Sequence, residues 1–156
     1  MIGRLVRWTL GAMVLSSVVA AIAAIVAKGR LPSRGGPHDD EIALTAILEP
    51  LAFESAATSF RGGTLTCWFG GADLDLRGAT LDPAGGHLTI RVLFGGGRLI
   101  VPEDWDVRLD VTGILGGVGD SRESTEAERR GPSLIVDGFA ALGGFGIVST
   151  KPELDA

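Results

Sequence analysis

The sequence predicts an all-β chain in which stacked rungs with Gly-Gly corners form a right-handed β-solenoid, preceded by one N-terminal transmembrane helix. Three observations lead to this prediction: a recurring glycine pair, strand-like alternation after it, and a composition with 24 glycines but only 6% aromatic residues. The pairs begin at residues 70, 95, 116 and 143, at steps of 25, 21 and 27 residues. Recurrence at roughly 20–50 residues is typical of solenoids, propellers and arrays.

Each copy consists of an apolar residue, a glycine pair and a short alternating run, as in residues 69–76. Leu74 and Leu76 alternate with Asp73 and Asp75, and this period of two is typical of half-buried strands. Glycine populates positive φ without a Cβ penalty, so the pair predicts a tight corner or a close approach of two backbones. An antiparallel sandwich with glycine in its hairpin turns is the alternative. A fifth copy without the glycine pair lies at residues 46–50.

The amino-terminal segment contains a long apolar run, because residues 8–27 carry no charge. About twenty apolar residues cross the hydrocarbon core of a bilayer as a helix. We therefore expect residues 1–30 to be a single-pass membrane anchor with its helix at about 8–27. A cleaved signal peptide, for which the alanines at 20–24 offer small residues, and a buried soluble helix are the alternatives.

The charges that flank this run decide little about which side of the membrane the domain faces. The amino terminus, Arg4 and Arg7 precede it, and Lys28, Arg30 and Arg34 follow it. Positively charged flanks tend to stay in the cytoplasm. The counts tie, and the three side-chain charges after the run slightly favour a cytoplasmic domain. The sequence thus places the protein at the cell membrane and leaves the side of the domain open.

The rest of the chain divides into a linker, one domain and a tail. Residues 31–41 hold two prolines, two glycines and four charges, which predicts a flexible linker. The β-solenoid domain is expected over 42–150, and the tail at 151–156 should be disordered. Strands are predicted at 42–48, 51–54, 64–69, 88–94, 106–112, 134–136 and 139–142, with turns at 81–86 and 102–105. The charged stretch 120–133 is expected to be a solvated excursion from the stack.

Charge and cysteine content exclude several functional classes. Residues 42–156 contain nine basic and sixteen acidic side chains, a balance of −7, and an acidic domain without a basic stripe argues against nucleic-acid binding. Cys67 is the only cysteine, so the chain has neither an internal disulfide nor a cysteine-cluster metal site.

The histidines and the first carboxylate pair do not form a recognisable site. His87 lies in a Gly-Gly-His turn, and a general base needs an orienting partner that the sequence does not identify. His38 lies in the linker and is expected to be solvated. Asp73 and Asp75 after a glycine pair are similar to a calcium-binding repeat, but that repeat works by nine-residue repetition and occurs here once.

A second acidic cluster comprises Glu103, Asp104, Asp106 and Asp110. Two such carboxylates could form a glycosidase pair. Asp106 and Asp110 should share a face with Arg108, however, as in a solvent-facing row of ion pairs. The sequence therefore predicts no catalytic, cofactor-binding or metal-binding residue, no cofactor, and a protein that is not an enzyme.

An ordered series of short motifs resembles a known family. The series comprises Ser59–Gly63, Trp68–Ala79, Leu93–Gly96, Val101–Val107 and Ile114–Gly117. Over about 42–150 it closely resembles the C-terminal domain of LiaF-like, cell-wall-active-antibiotics response proteins. The resemblance implies a bacterial membrane protein with a β-stack domain that senses or regulates envelope stress and has no established catalytic residues. Typical members have several membrane helices, whereas this chain has room for one.

These observations predict a non-enzymatic, membrane-anchored β-solenoid that acts by protein–protein contact. The family resemblance implies a role in modulating a cell-envelope stress response, with a membrane signalling protein as partner. The excursion at 119–133 is the expected partner surface, and residues 42–54 are expected to cap one end of the stack. The alternatives are a solenoid enzyme acting on cell-wall polysaccharide and a self-assembling structural protein, since open strand edges favour homo-oligomers.

Overall fold

The computed structural model describes residues 33–123 and 131–149, together with seven positions between residues 16 and 26. The chain divides into two units, Met1–Pro32 and Ser33–Ala156. In the first unit the described positions are helical; they are Ser16, Ser17, Val19, Ile22, Ala23, Ile25 and Val26. Within the described part of the chain, no helix has the length and apolarity needed to cross a membrane. The remainder of the predicted helix over 8–27, and the predicted tail, lie outside the described residues.

The described residues of the second unit form ten strands. In chain order they are β1 (Glu41–Ile47), β2 (Leu51–Glu54), β3 (Gly62–Trp68), β4 (Gly71–Asp75), β5 (Gly86–Leu93), β6 (Gly96–Ile100), β7 (Asp106–Ile114), β8 (Gly117–Asp120), β9 (Ser133–Ala141) and β10 (Gly144–Val148). The predicted strands are confirmed except near the end of the domain, where 134–136 and 139–142 belong to one strand, β9, and Leu142 lies beyond it. The predicted segments 81–86 and 102–105 both contain turns. The alternating apolar residues that predicted the strands also form the core.

The strands form two five-stranded sheets, ordered β1-β3-β5-β9-β7 and β2-β4-β6-β10-β8. Every named strand pair is parallel, so the antiparallel sandwich is wrong. Both sheets contribute to one hydrophobic cluster, in which Leu88 and Ile90 come from one sheet and Leu99 and Ile147 from the other. The architecture is therefore all-β with parallel sheets, and it is compatible with a β-solenoid.

Each odd-numbered strand, the corner after it and the following even-numbered strand form one coil, so that the described residues form five coils. The sheet orders place these coils in the stack as 1, 2, 3, 5 and 4. The last coil of the chain is thus inserted between the third and the fourth. The glycine spacing predicted that the copies stack, but it contains no information about this exchange of order.

The first glycine of each pair is required because neighbouring coils approach closely at the corner. A Cβ on Gly95 would lie 2.0 Å from the Gly70 carbonyl oxygen, and one on Gly143 would lie 1.7 Å from that of Gly95. Real Cβ atoms do not approach so closely, since packed interiors leave no such overlap. The second glycines have more room: a Cβ on Gly96 would lie 3.7 Å from its nearest neighbour, the Gly144 carbonyl oxygen. Close backbone approach is thus the role of the first glycine.

The same geometry explains why the first copy lacks its glycine pair. In every corner the Cβ direction of the first glycine points to the preceding coil of the stack, as for Gly70, whose Cβ would lie 2.6 Å from the Glu49 carbonyl oxygen. Glu49 belongs to coil 1, which is the end of both sheet orders. Its own Cβ therefore points away from the described coils, and a side chain is tolerated there.

The end of the stack at β1 is covered by residues that precede it. The Arg34 and Ala43 backbones donate hydrogen bonds to each other at 2.7 and 2.8 Å, as an antiparallel bridge. The Thr45 N–H donates to Ser33 Oγ at 2.9 Å. Part of the segment that the sequence assigns to a linker thus lies along the outer edge of β1. The predicted boundaries of linker and domain stay predictions.

Candidate functional site

The residue before each glycine pair has an unusual backbone conformation. Among the described residues, five that are not glycine have positive φ, and all five occupy this position: Leu48 (60°), Phe69 (55°), Phe94 (52°), Leu115 (52°) and Leu142 (54°). For residues with a Cβ, the left-handed region costs roughly 1–2 kcal/mol. The glycine pairs show the close backbone approach that the sequence predicts, but none of the corner glycines has positive φ. The apolar residue makes the reversal instead.

All five of these side chains are exposed. Their exposed fractions are 51% for Leu48, 36% for Phe69, 45% for Phe94, 43% for Leu142 and 81% for Leu115. We call this set the corner ladder, because stacking of the coils places its members one above another. The Phe69 and Phe94 rings are stacked, with centroids 4.9 Å apart and planes 6° from parallel. The ladder is thus an ordered surface feature as well as an apolar one.

A second apolar row runs beside the corner ladder. It consists of the last residues of the odd-numbered strands: Ile47, Trp68, Leu93, Ala141 and Ile114. Ile47 is buried, Trp68 and Leu93 are half-buried, and Ile114 is exposed. The two rows together contribute ten positions to this edge, and none of them carries a charge. Contiguous exposed apolar surface on a folded domain typically marks an interaction site.

The carboxylates that the sequence compared with a calcium repeat are each held by an arginine. Arg98 Nε donates to Asp73 Oδ1 at 2.9 Å, and Arg77 Nε donates to Asp75 Oδ1 at 3.0 Å. The two aspartates therefore do not converge on a common ligand. Among the described residues, no group of three histidine, cysteine, aspartate or glutamate side chains is placed to hold a metal ion.

The second acidic cluster is likewise dispersed. Arg108 Nε lies 3.6 Å from Asp106 Oδ2, in agreement with the expected solvent-facing row, and Asp110 is exposed two residues further along the strand. Glu103 and Asp104 are exposed in the turn before β7. This cluster gives no support to a pair of facing catalytic carboxylates.

His87 has an orienting partner that the sequence could not identify. Its Nε2 lies 3.1 Å from Asp137 Oδ2, which comes from the neighbouring strand β9. The pKa of Asp137 is lowered mainly by hydrogen bonding from Thr89 and, to a smaller extent, by hydrogen bonding from His87. His87 is exposed and borders a shallow groove of about 360 Å³ between Arg61 and Ile135. His38 Nδ1 lies 3.4 Å from the carbonyl oxygen of Ala56, which follows β2 in coil 1.

Cys67 has the properties of a core residue. It is fully buried, and its Sγ donates to the Gly96 carbonyl oxygen at 3.9 Å. Burial raises the pKa of its thiol, which makes the reactive thiolate scarcer.

Sequence reasoning missed one structural site, a buried arginine that closes coil 4. The Arg122 side chain is fully buried; its Nε donates to Asp120 Oδ1 at 3.0 Å and its Nη1 to the Trp105 carbonyl oxygen at 2.9 Å. Part of the predicted solvated excursion is therefore buried. A repeated Asp-x-Arg pattern could have revealed it, because Asp75 and Arg77 have the same geometry after β4.

Comparison with known proteins adds no identification. No family model, curated protein or solved structure matches the chain. The corner ladder is therefore the feature on which a functional proposal has to rest.

Proposed function

We propose that this chain is a non-enzymatic contact module whose working surface is the corner ladder. One observation carries the proposal: five bulky apolar residues adopt the left-handed conformation and expose their side chains on one edge. Glycine or asparagine would adopt this conformation with less strain, and a polar side chain would be better solvated. Strained positions that expose apolar groups are typical of binding sites.

We further propose that a membrane anchor carries the module. The uncharged run 8–27 has the length of a spanning helix, and its described apolar positions, such as Val19, Ile22 and Ile25, are helical and exposed. The flanking charges slightly favour a cytoplasmic domain. The right-handed solenoid is part of the same proposal, because crossover connections between parallel strands of one sheet are almost always right-handed.

The partner we propose is the apolar face of a membrane signalling protein in a cell-envelope stress response. The resemblance of residues 42–150 to LiaF-like proteins supports this class of partner. The acidic balance of residues 42–156 supports a protein partner over a nucleic acid. The contact surface differs from the expected excursion at 119–133, because the exposed apolar positions cluster at the corners.

Substituting asparagine at three corners tests the proposal. Asparagine tolerates the left-handed conformation, so F69N/F94N/L142N should keep the corners and remove the apolar side chains. The matched control is Ile135→Asn, because Ile135 is 44% exposed but lies outside the ladder. Each full chain would be cross-linked in membranes of stressed cells, and captured membrane proteins would be quantified by mass spectrometry.

We expect the triple variant to lose at least about 90% of the captured partner, while Ile135→Asn captures the wild-type amount. Equal capture by all three proteins would contradict the proposal. Circular dichroism of each variant checks that the β domain is intact.

A further inference from the structure

The two ends of the stack differ in how their strand edges are satisfied. At the β1 end, Ala43 and Thr45 direct their backbone groups outward. There Ala43 forms backbone hydrogen bonds with Arg34, and the Thr45 N–H donates to Ser33 Oγ. At the other end, β7 pairs with β9, and no other described residue pairs with it. A parallel stack must end in a strand edge, and open edges add further strands readily.

β7 is well suited to accept another strand. It has nine residues and no residue with positive φ, so it is long and regular. The Leu142 N–H donates to the Ile114 carbonyl at 2.9 Å, which shows that even-numbered residues of β7 direct their backbone groups towards β9. Because direction alternates along a strand in a parallel pair, Val107, Leu109 and Val111 direct theirs to the open edge.

The inner face of this end is apolar and incompletely covered. Leu109, Val111 and Val118 are only partly buried against the core, whereas Leu88 and Val136, which align with Leu109 in the inner coils, are fully buried. A further layer would complete the burial of these side chains.

β7 is complementary to itself in an antiparallel register centred on Leu109. With Leu109 opposite Leu109 of a second copy, Arg108 faces Asp110 of the other chain, and this pairing occurs twice because of two-fold symmetry. On the inner face, Val107 then meets Val111. A pairing centred on residue 108 would put Arg108 opposite Arg108, and a pairing centred on residue 110 would put Asp110 opposite Asp110. Like charges directly opposite each other are destabilising.

We infer that two copies of this chain associate through β7, in an antiparallel two-fold pairing centred on Leu109. The paired β7 strands join the two β1-β3-β5-β9-β7 sheets into one ten-stranded sheet, with Arg108–Asp110 ion pairs on its outer face. The contact is separate from the corner ladder, so the dimer can be tested independently of the proposed function.

Charge reversal tests the register. Sedimentation equilibrium of the full chain in density-matched detergent gives the dimer Kd. R108D and D110R each turn two attractive pairs into two repulsive ones, so each should raise the Kd at least about 10-fold. The double variant R108D/D110R restores opposite charges and should return the Kd to within about 3-fold of wild type. Arg91→Asp, an exposed charge on the inner strand β5, is the control and should leave the Kd unchanged.

Disulfide trapping gives a second measurement. Directly opposite residues of a hydrogen-bonded antiparallel pair have Cα atoms about 5.5 Å apart, which a disulfide can bridge. Leu109→Cys should therefore cross-link between copies. Val111→Cys should not, because the two Val111 Cα atoms would be about 14 Å apart in this register. A monomer at all concentrations, or a dimer that neither reversal weakens, would overturn the inference.

Discussion

At the scale of single residues, the two glycines of each corner do different work although the sequence shows them as a pair. A Cβ on the first glycine would overlap the backbone of the preceding coil, whereas a Cβ on the second would have no neighbour closer than 3.3 Å. A repeat of glycines indicates that a backbone constraint exists, but it cannot show which glycine bears it. That depends on the distance to a coil 21 to 48 residues away in sequence.

Alanine substitution at Gly95 and Gly96 separates the two roles within one corner. Gly95→Ala should lower the free energy of unfolding by at least about 3 kcal/mol, because its Cβ would overlap the Gly70 carbonyl oxygen. Gly96→Ala should change it by less than about 0.5 kcal/mol, because the new Cβ has room. Urea unfolding of both variants gives the comparison. Similar losses would show that the coils do not approach as closely as described.

The pKa of Asp137 makes stability depend on pH in the acid range. Its pKa is lowered mainly by hydrogen bonding from Thr89 and also by His87. A carboxylate whose folded-state pKa is lowered stabilises the protein above its unfolded-state pKa of about 3.9. This stabilisation is lost as the pH falls through the folded-state value. The effect should be small, because the Asp137 side chain is 38% exposed and solvent screens it.

Asp137→Asn should therefore show a smaller decrease in unfolding free energy than wild type between about pH 5 and pH 2. The difference between the two proteins should vanish at the lowest pH, where the wild-type carboxylate is protonated as well. Urea unfolding at several pH values measures both curves. Curves that stay parallel throughout would contradict the assignment.

At the scale of elements, the left-handed conformation of the five corner residues lowers the free energy of unfolding. The fold does not require this loss, because another residue type could adopt the same conformation with less strain. Leu115 has a φ of 52° and is 81% exposed, so its side chain makes few contacts that offset the strain. Leu115→Asn should therefore raise the free energy of unfolding by about 1 kcal/mol. Phe94→Asn should gain less, since it also removes the stack of Phe94 on Phe69. Thermal unfolding compares them, and a loss of stability in Leu115→Asn would show that the corner residues serve the fold.

The strands were predictable from the sequence, and the corner ladder was only partly so. Alternation such as that of Leu88, Ile90 and Val92 predicts which residues face the core, because each strand has a period of two. The apolar residue before each glycine pair was visible as part of the repeat. Its exposure was not, because nothing local indicates that Phe69 or Leu142 takes the left-handed conformation. The pairing of His87 with Asp137 was similarly hidden, since it joins strands 50 residues apart.

At the scale of the whole molecule, the order of the coils is the feature that local patterns could least predict. Copies with equivalent glycine corners can stack in several orders, and the choice depends on how side chains fill the space between particular coils. Phe145 of coil 5 packs over Gly97 of coil 3, where a Cβ would lie only 2.7 Å from the Phe145 ring. Val118 occupies the aligned position in coil 4, and it is too small to fill the same space.

This order makes the last coil necessary for docking the one before it. In a solenoid stacked in chain order, deleting the last coil removes only one end. Here, a chain ending at Arg130 lacks β9 and β10, which are the described partners of β7 and β8. Amides of residues 106–114 should then exchange with deuterium about 100-fold faster or more, while those of β1 and β3 remain protected. A chain ending at Thr150 is the control and should exchange like wild type. If residues 106–114 stayed protected in the shorter chain, coil 4 would be docking directly on coil 3, and the intervening coil would not determine its position.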